Sequence, residues 1–203
     1  MADSAEHAAR ERVRRAFETR RGSPEAPARP IAFNAPMVRA LLAGQKTQTR
    51  RPIRPLPIGE TQLEDRPWPS DATGHPMQCR LARLGDDLWV REPWAFRPDG
   101  TGRDFEADLS PDAAGRRAWR GGRFLPRDAS RIQLRVNALY PERLQSIGDK
   151  DARAEGMPPG LFDGSPRLWF ERLWDSIYGG GEFAWREDPW VWVIGFEVID
   201  KPS

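Results

Sequence analysis

Residues 41–51 read Leu-Leu-Ala-Gly-Gln-Lys-Thr-Gln-Thr-Arg-Arg and hold the residue types that acyl-group chemistry requires. Lysine is scarce: of 32 Lys and Arg residues, only Lys46, Lys150 and Lys201 are lysines. Arginine stays protonated in a protein, whereas a partly buried lysine can lose its proton and act as a base. Thr49, three residues on, is a weak nucleophile that needs such a base beside it. The pair could attack an acyl carbon, Lys46 taking the proton. The bland alternative is a GC-rich coding genome that writes Arg for Lys, since Lys150 and Lys201 read as surface residues.

Arg50, Arg51 and Arg54 follow with no acid between Glu25 and Glu60. Such a segment reads either as phosphate contacts for a nucleotide or RNA or as a solvated basic edge. In Leu-Trp-Val-Arg-Glu-Pro-Trp, residues 88–94, the aromatic planes of Trp89 and Trp94 flank Arg91. That interleaving could stack a base; equally, the tryptophans could seal one end of a barrel.

Other chemistries are poorly supplied. Gln45 stands where a phosphate loop needs the glycine before its lysine. His7 and His75 fall in irregular sequence, so no metal site is expected. Cys79 reads as a small apolar residue, and one cysteine excludes a disulfide framework. No cofactor motif is present. The net charge of +2 and pI near 9.0 permit a polyanionic partner without requiring one. No apolar run approaches a membrane span or signal peptide, so a cytoplasmic protein is expected. Nothing in the sequence speaks to oligomeric state.

The elements that must position these residues are few. Residues 1–29 read as a flexible N-terminal tail with a short charged helix and a linker, before a domain over 30–203. A short strand at 31–33 precedes a helix over 35–43 that Gly44 stops. Beyond it Lys46, Gln48 and Arg50 would face one way if extended, and Thr47, Thr49 and Arg51 the other. Insertions are expected at about 52–83 and 97–122, the first as proline-rich loop. Strands are expected at 85–96, at 130–144 with Ile132, Leu134 and Val136 inward, and at 189–199. Ser146 and Asp149 have capping-box spacing, and Gly156 ends that helix. A later helix would turn Leu168, Trp169, Leu173, Trp174 and Ile177 inward. This order predicts an α+β fold, a small mixed barrel with flanking helices and long loop insertions.

With Gly44, Lys46, Thr49 and Arg51 in a G-x-K-x-x-T-x-R pattern, and with "GDDLWVREPWAF", "SRIQLRV" and "DPWVWVIGFEVI" in order after it, the chain resembles the ASCH-domain family of the PUA-like superfamily. It looks most like the larger members, often phage- or prophage-borne, over about residues 31–199. The resemblance implies a small β-barrel with flanking helices. Small members are N4-acetylcytidine amidohydrolases, which implies catalytic roles for Lys46, Thr49 and, through "DARAEGM", Glu155. Superfamily relatives also bind RNA or modified bases without catalysis, and some ASCH proteins are assigned ribonuclease activity. Two main readings follow: a hydrolase acting on a modified nucleoside, or a non-catalytic RNA or modified-base binder, with Gly44, Arg50, Arg51, Arg54, Arg91 and Trp94 as the binding residues. A ribonuclease is the minor alternative.

Overall fold

The computed structural model describes residues 28–63, 66–114, 117–160 and 164–202. The expected tail, to residue 27, lies outside the described residues, as does His7. Five strands make the main sheet: β1 (Arg29–Ala32), β2 (Gln48–Pro52), β5 (Asp87–Arg91), β8 (Gln133–Arg143) and β9 (Trp190–Asp200), in the order β1-β5-β8-β9-β2. β1 runs parallel to β5, and the other ladders are antiparallel. Ile132, Leu134 and Val136 are buried and Gln133 and Arg135 exposed, so period-two patterning sets the register here. A bulge between Val136 and Ala138 lies opposite Gly195, where a Cβ would stand 2.9 Å from that of Ala138.

The fold is α+β, but strand pairing among the described residues does not close a barrel, since β1 and β2 are the sheet's two edges. A side chain joins them instead. Arg51 on β2 donates from Nη2 to the Ala32 carbonyl oxygen on β1, at 2.7 Å.

Helix α1 (Ala35–Leu42) lays Met37, Val38 and Leu41 into the main core with Leu134, Val136, Ile194 and Phe196. Asn34 caps it, its side chain accepting from the Met37 amide, with Pro36 in the first turn. A second cluster of Leu144, Ile147, Ala152, Phe170, Trp174, Trp185 and Val191 fixes α3 (Asp149–Ala154) and α4 (Pro166–Tyr178) to the sheet. Truncating a buried Trp such as Trp174 costs about 3–5 kcal/mol, so these helices are firmly placed. α4 rotates from expectation: Phe170 and Trp174 are its buried aromatics, while Leu168 and Ile177 are exposed. The Trp174 Nε1–H bond to the Phe183 carbonyl, at 2.7 Å, sets that rotation. The capping box also fails, because Gly148 is the N-cap of α3 and Ser146 lies in the preceding 3-10 turn. Asp149 accepts from the Arg167 amide instead.

The expected loop at 52–78 contains a hairpin, β3 (Gly59–Leu63) with β4 (Arg66–Ser70). Pro67 and Pro69 disguise the strand, yet proline is tolerated on an edge strand whose N–H is not needed. Trp68 anchors it, edge-on to Trp192 at 6.0 Å. The run 85–96 breaks at Glu92–Pro93 into β5 and β6 (Trp94–Phe96), which pairs with β7 (Arg103–Phe105). Within 97–122 lies also the short α2 (Pro111–Ala114). Arg131 ties this segment to the sheet by bonding both Glu92 and Asp108.

Candidate active site

Two chain reversals bring Lys46 and Glu155 together. After α1, Gly44 takes a φ of +71°, and the Ala40 carbonyl accepts from both Gln45 N and Lys46 N, at 2.9 and 3.1 Å. A left-handed residue at this helix end suits glycine. Gly44 therefore shapes the turn and does not line the cavity described below. The chain then runs past the end of α3, where Thr47 N donates to the Ala154 carbonyl and Lys46 bridges Glu155 by backbone pairing. Gly156, at φ +101°, makes the approach possible: a Cβ there would stand 2.9 Å from that of Ala40 and 3.2 Å from that of Lys46.

The Lys46 side chain is 2% exposed. Its Nζ donates to the Glu155 carbonyl at 2.7 Å and to Glu155 Oε2 at 3.1 Å. The other carboxylate oxygen, Oε1, accepts from Arg50 Nη1 at 3.0 Å. Arg50 is fully buried and also meets Glu142 at 2.6–2.7 Å and Asp151 at 3.4 Å. Three carboxylates around one guanidinium satisfy charges that burial would otherwise make costly. Burial pulls the Lys46 amine below its ordinary value, Arg51 and Arg50 adding to the effect, while Glu155 opposes it. For Arg50 burial acts downward too, but Glu142 and Glu155 outweigh it and raise the guanidinium.

Lys46, Thr49, Arg50, Arg51 and Glu155 line one cavity of about 70 Å³. Its remaining walls include Phe33, Asn34, Phe170, Trp174, Ile177 and Tyr178. Thr49 is buried, and its hydroxyl hydrogen-bonds no described residue. Strict alternation from Lys46 does not hold, because β2 begins only at Gln48 and Lys46 belongs to the turn before it. That is how Lys46 and Thr49 share a cavity although their positions differ in parity.

The basic run divides into three environments. Arg50 is enclosed by carboxylates and is no basic edge. Arg51 stays at the cavity, its guanidinium 5.2 Å from the Phe33 ring centre. Arg54 is exposed and stacks on Phe183 at 4.4 Å, away from the cavity. Arg91 lies over Trp89 at 4.6 Å, and Trp94 is buried beneath arginines; neither lines the cavity.

No family model matches the sequence, and no curated protein matches it. Two solved structures are similar to it. A DUF984-family protein from Enterococcus faecalis aligns over 88% of this chain and 85% of its own, with 11% identity and a TM-score of 0.44. An ASCH domain from Lactobacillus crispatus aligns over 80% and 71%, with 14% identity and a TM-score of 0.36.

Sequence reasoning did not find Glu142 and Asp151, which hold Arg50, nor the aromatic walls. Among the described residues, no group of three or more His, Cys, Asp or Glu could hold a metal ion, and no helix is long and apolar enough to cross a membrane. A larger cavity of about 810 Å³ lies elsewhere, around Arg29, Met77, Cys79 and Arg83. Burial pushes the Cys79 thiol up, away from the thiolate a nucleophile needs. The smaller cavity is the one that joins a hydroxyl, an amine of lowered proton affinity and a carboxylate.

Proposed function

We propose that this protein is an ASCH-type hydrolase that removes an acyl group from a modified nucleoside of the N4-acetylcytidine kind. The observation that carries the reading is the buried Lys46–Glu155 pair, at 3.1 Å, in a cavity that Thr49 also lines. An amine whose proton affinity is lowered by burial gives up its proton more readily than an exposed lysine, which is what a base needs.

The Thr49 hydroxyl, or a water held by it, adds to the acyl carbon while Lys46 Nζ takes the proton. Arg51 and the Asn34 amide line the same space as donors for the oxygen that becomes negative. The carbon–nitrogen bond then breaks, the proton passes from Lys46 to the exocyclic nitrogen, and Glu155 holds the ammonium in line. Cytidine and acetate are the products, directly with water or after hydrolysis of an acyl-threonine. A space of about 70 Å³ holds a few waters or an acyl group; the base itself would have to rest outside that space.

Turnover of N4-acetylcytidine by wild type beside Lys46→Arg tests this. Cytidine and acetate released by wild type, and at least about a hundredfold less by the variant, is the expected result. A non-catalytic binder would show no turnover and would tolerate the substitution.

A further inference from the structure

We propose that the cavity of about 810 Å³ around Arg29, Met77 and Arg83 binds a small anion with an aliphatic body, a carboxylate or a phosphate ester. Small-molecule sites commonly measure about 300–1,000 Å³, and this one shares no lining residue with the Lys46 cavity. Its wall from Met77 to Leu84 has no helix or strand, yet the backbone is pinned at three points. Trp68 Nε1–H donates to the Met77 carbonyl at 3.0 Å, and Arg29 Nη1 donates to the Arg80 carbonyl at 2.8 Å. The Arg83 amide donates to Asp86 Oδ2 at 2.9 Å. The cavity is therefore formed before any ligand arrives, as such sites usually are.

The charges on its walls are one-sided. Arg29, Arg80 and Arg83 face a single lining carboxylate, Asp71, among the described residues. Asp71 Oδ1 already accepts from the Thr73 amide and hydroxyl and from the His75 amide. Arg29 lies 3.7 Å from Asp86, but Arg80 and Arg83, both exposed, form no ion pair with any described residue. Cys79 does not offset them, because burial pushes its thiol up, toward the neutral form. Guanidinium forks with unused donors match the paired oxygens of a carboxylate or a phosphate.

The body of the ligand follows from what the walls lack. Among the described lining residues none is aromatic, in a chain with nine Trp and nine Phe. A nucleobase is held by stacking on such planes. Here the apolar surface comes from Met77, Ala82, Leu84 and Leu139, and a thioether adapts to a flexible chain. This ligand is independent of the hydrolase reading, since the test reads binding and no turnover.

Isothermal titration of the full chain with octanoate and octyl phosphate tests the proposal, with octanol, octyltrimethylammonium and acetate as controls. Both anions are expected to bind, and affinity should rise about fourfold per methylene from butanoate to octanoate. The three controls should bind at least about tenfold more weakly. Arg80→Gln/Arg83→Gln, at exposed positions, should weaken octanoate binding at least about tenfold. Gln78→Trp, which fills the cavity from an exposed position, should abolish it. A preference for octanoate names a carboxylate ligand and a preference for octyl phosphate a phosphate ester; either supports the proposal. Failure of both anions to bind overturns it, as does equal affinity for octanol, for the cation or for acetate. Uridine monophosphate binding more tightly than octyl phosphate overturns it in favour of a nucleotide site. Wild-type affinity in variants that keep the wild-type melting curve would place the anion elsewhere and also overturn it. Should the double variant melt early, Gln78→Trp and the ligand series still decide.

Discussion

Lys46 and Glu155 are joined twice, by a backbone bridge and by a side-chain bond of 3.1 Å from Nζ to Oε2, although 109 residues separate them. Because Glu155 raises the proton affinity that burial lowers, the pair sets the pH at which Lys46 becomes a base. Glu155→Gln removes the upward influence. The acid limb of the kcat/KM profile should therefore move to lower pH, while the plateau falls by about 10²–10⁴-fold if Glu155 also positions the amine. A pH–rate series on both proteins measures it. A limb that stays in place would separate Lys46 from the rate.

Arg50 is expected to be a stability residue. Arg50→Met leaves the buried Asp151 and Glu155 and the half-buried Glu142 without their common partner, which should cost about 3–5 kcal/mol. Losing the guanidinium removes a positive charge that favours the ionised carboxylates, so protonating them costs the variant less than it costs wild type. The variant's deficit should then shrink as pH falls. Urea denaturation at several pH values reads both effects. Arg50→Lys should recover little, since one ammonium cannot span the carboxylates a guanidinium fork reaches.

Gly156→Ala tests the close approach itself. A Cβ at 2.9 Å from that of Ala40, on a residue at φ +101°, should destabilise the fold by about 1–3 kcal/mol. Relief requires the end of α3 to move away from Lys46. Activity should therefore fall further than stability alone explains, even at temperatures where the variant is fully folded by circular dichroism.

Much of this site was legible in local sequence, and the part that was not has a physical reason. Lys46 and Thr49 stood out by residue type and spacing, and Gly44 by the helix it ends. Glu155 entered only through its family resemblance, because nothing local distinguishes it from other acids. Arg50 reads from sequence as a phosphate contact or as a basic edge with distant carboxylate partners, and its actual partners stay hidden because Glu142 and Asp151 lie 92 and 101 residues away and contribute no local signal. The same blindness governs the fold. Apolar alternation announced β8 and a continuous Val/Ile/Trp-rich run announced β9, whereas β4 carries two prolines and depends on Trp68 finding Trp192. An expected barrel proved to be joined at its edges by one arginine, a contact that strand periodicity does not encode.

A proton affinity lowered by folding also leaves a thermodynamic trace that needs no substrate. In the unfolded chain Lys46 titrates near its ordinary 10.5, whereas the folded protein holds that proton more weakly. Between the two values the unfolded state binds more protons, so stability must rise with pH across that interval. Lys46→Met keeps an unbranched apolar stem in the same space and abolishes this contribution, whatever the other groups do. The difference in unfolding free energy between wild type and Lys46→Met, followed from neutral pH toward 10.5, should therefore move steadily in favour of wild type. Each unit of lowering is worth about 1.4 kcal/mol at the end of that interval. Parallel curves would mean that Lys46 keeps its proton in the fold, and would remove it as the base.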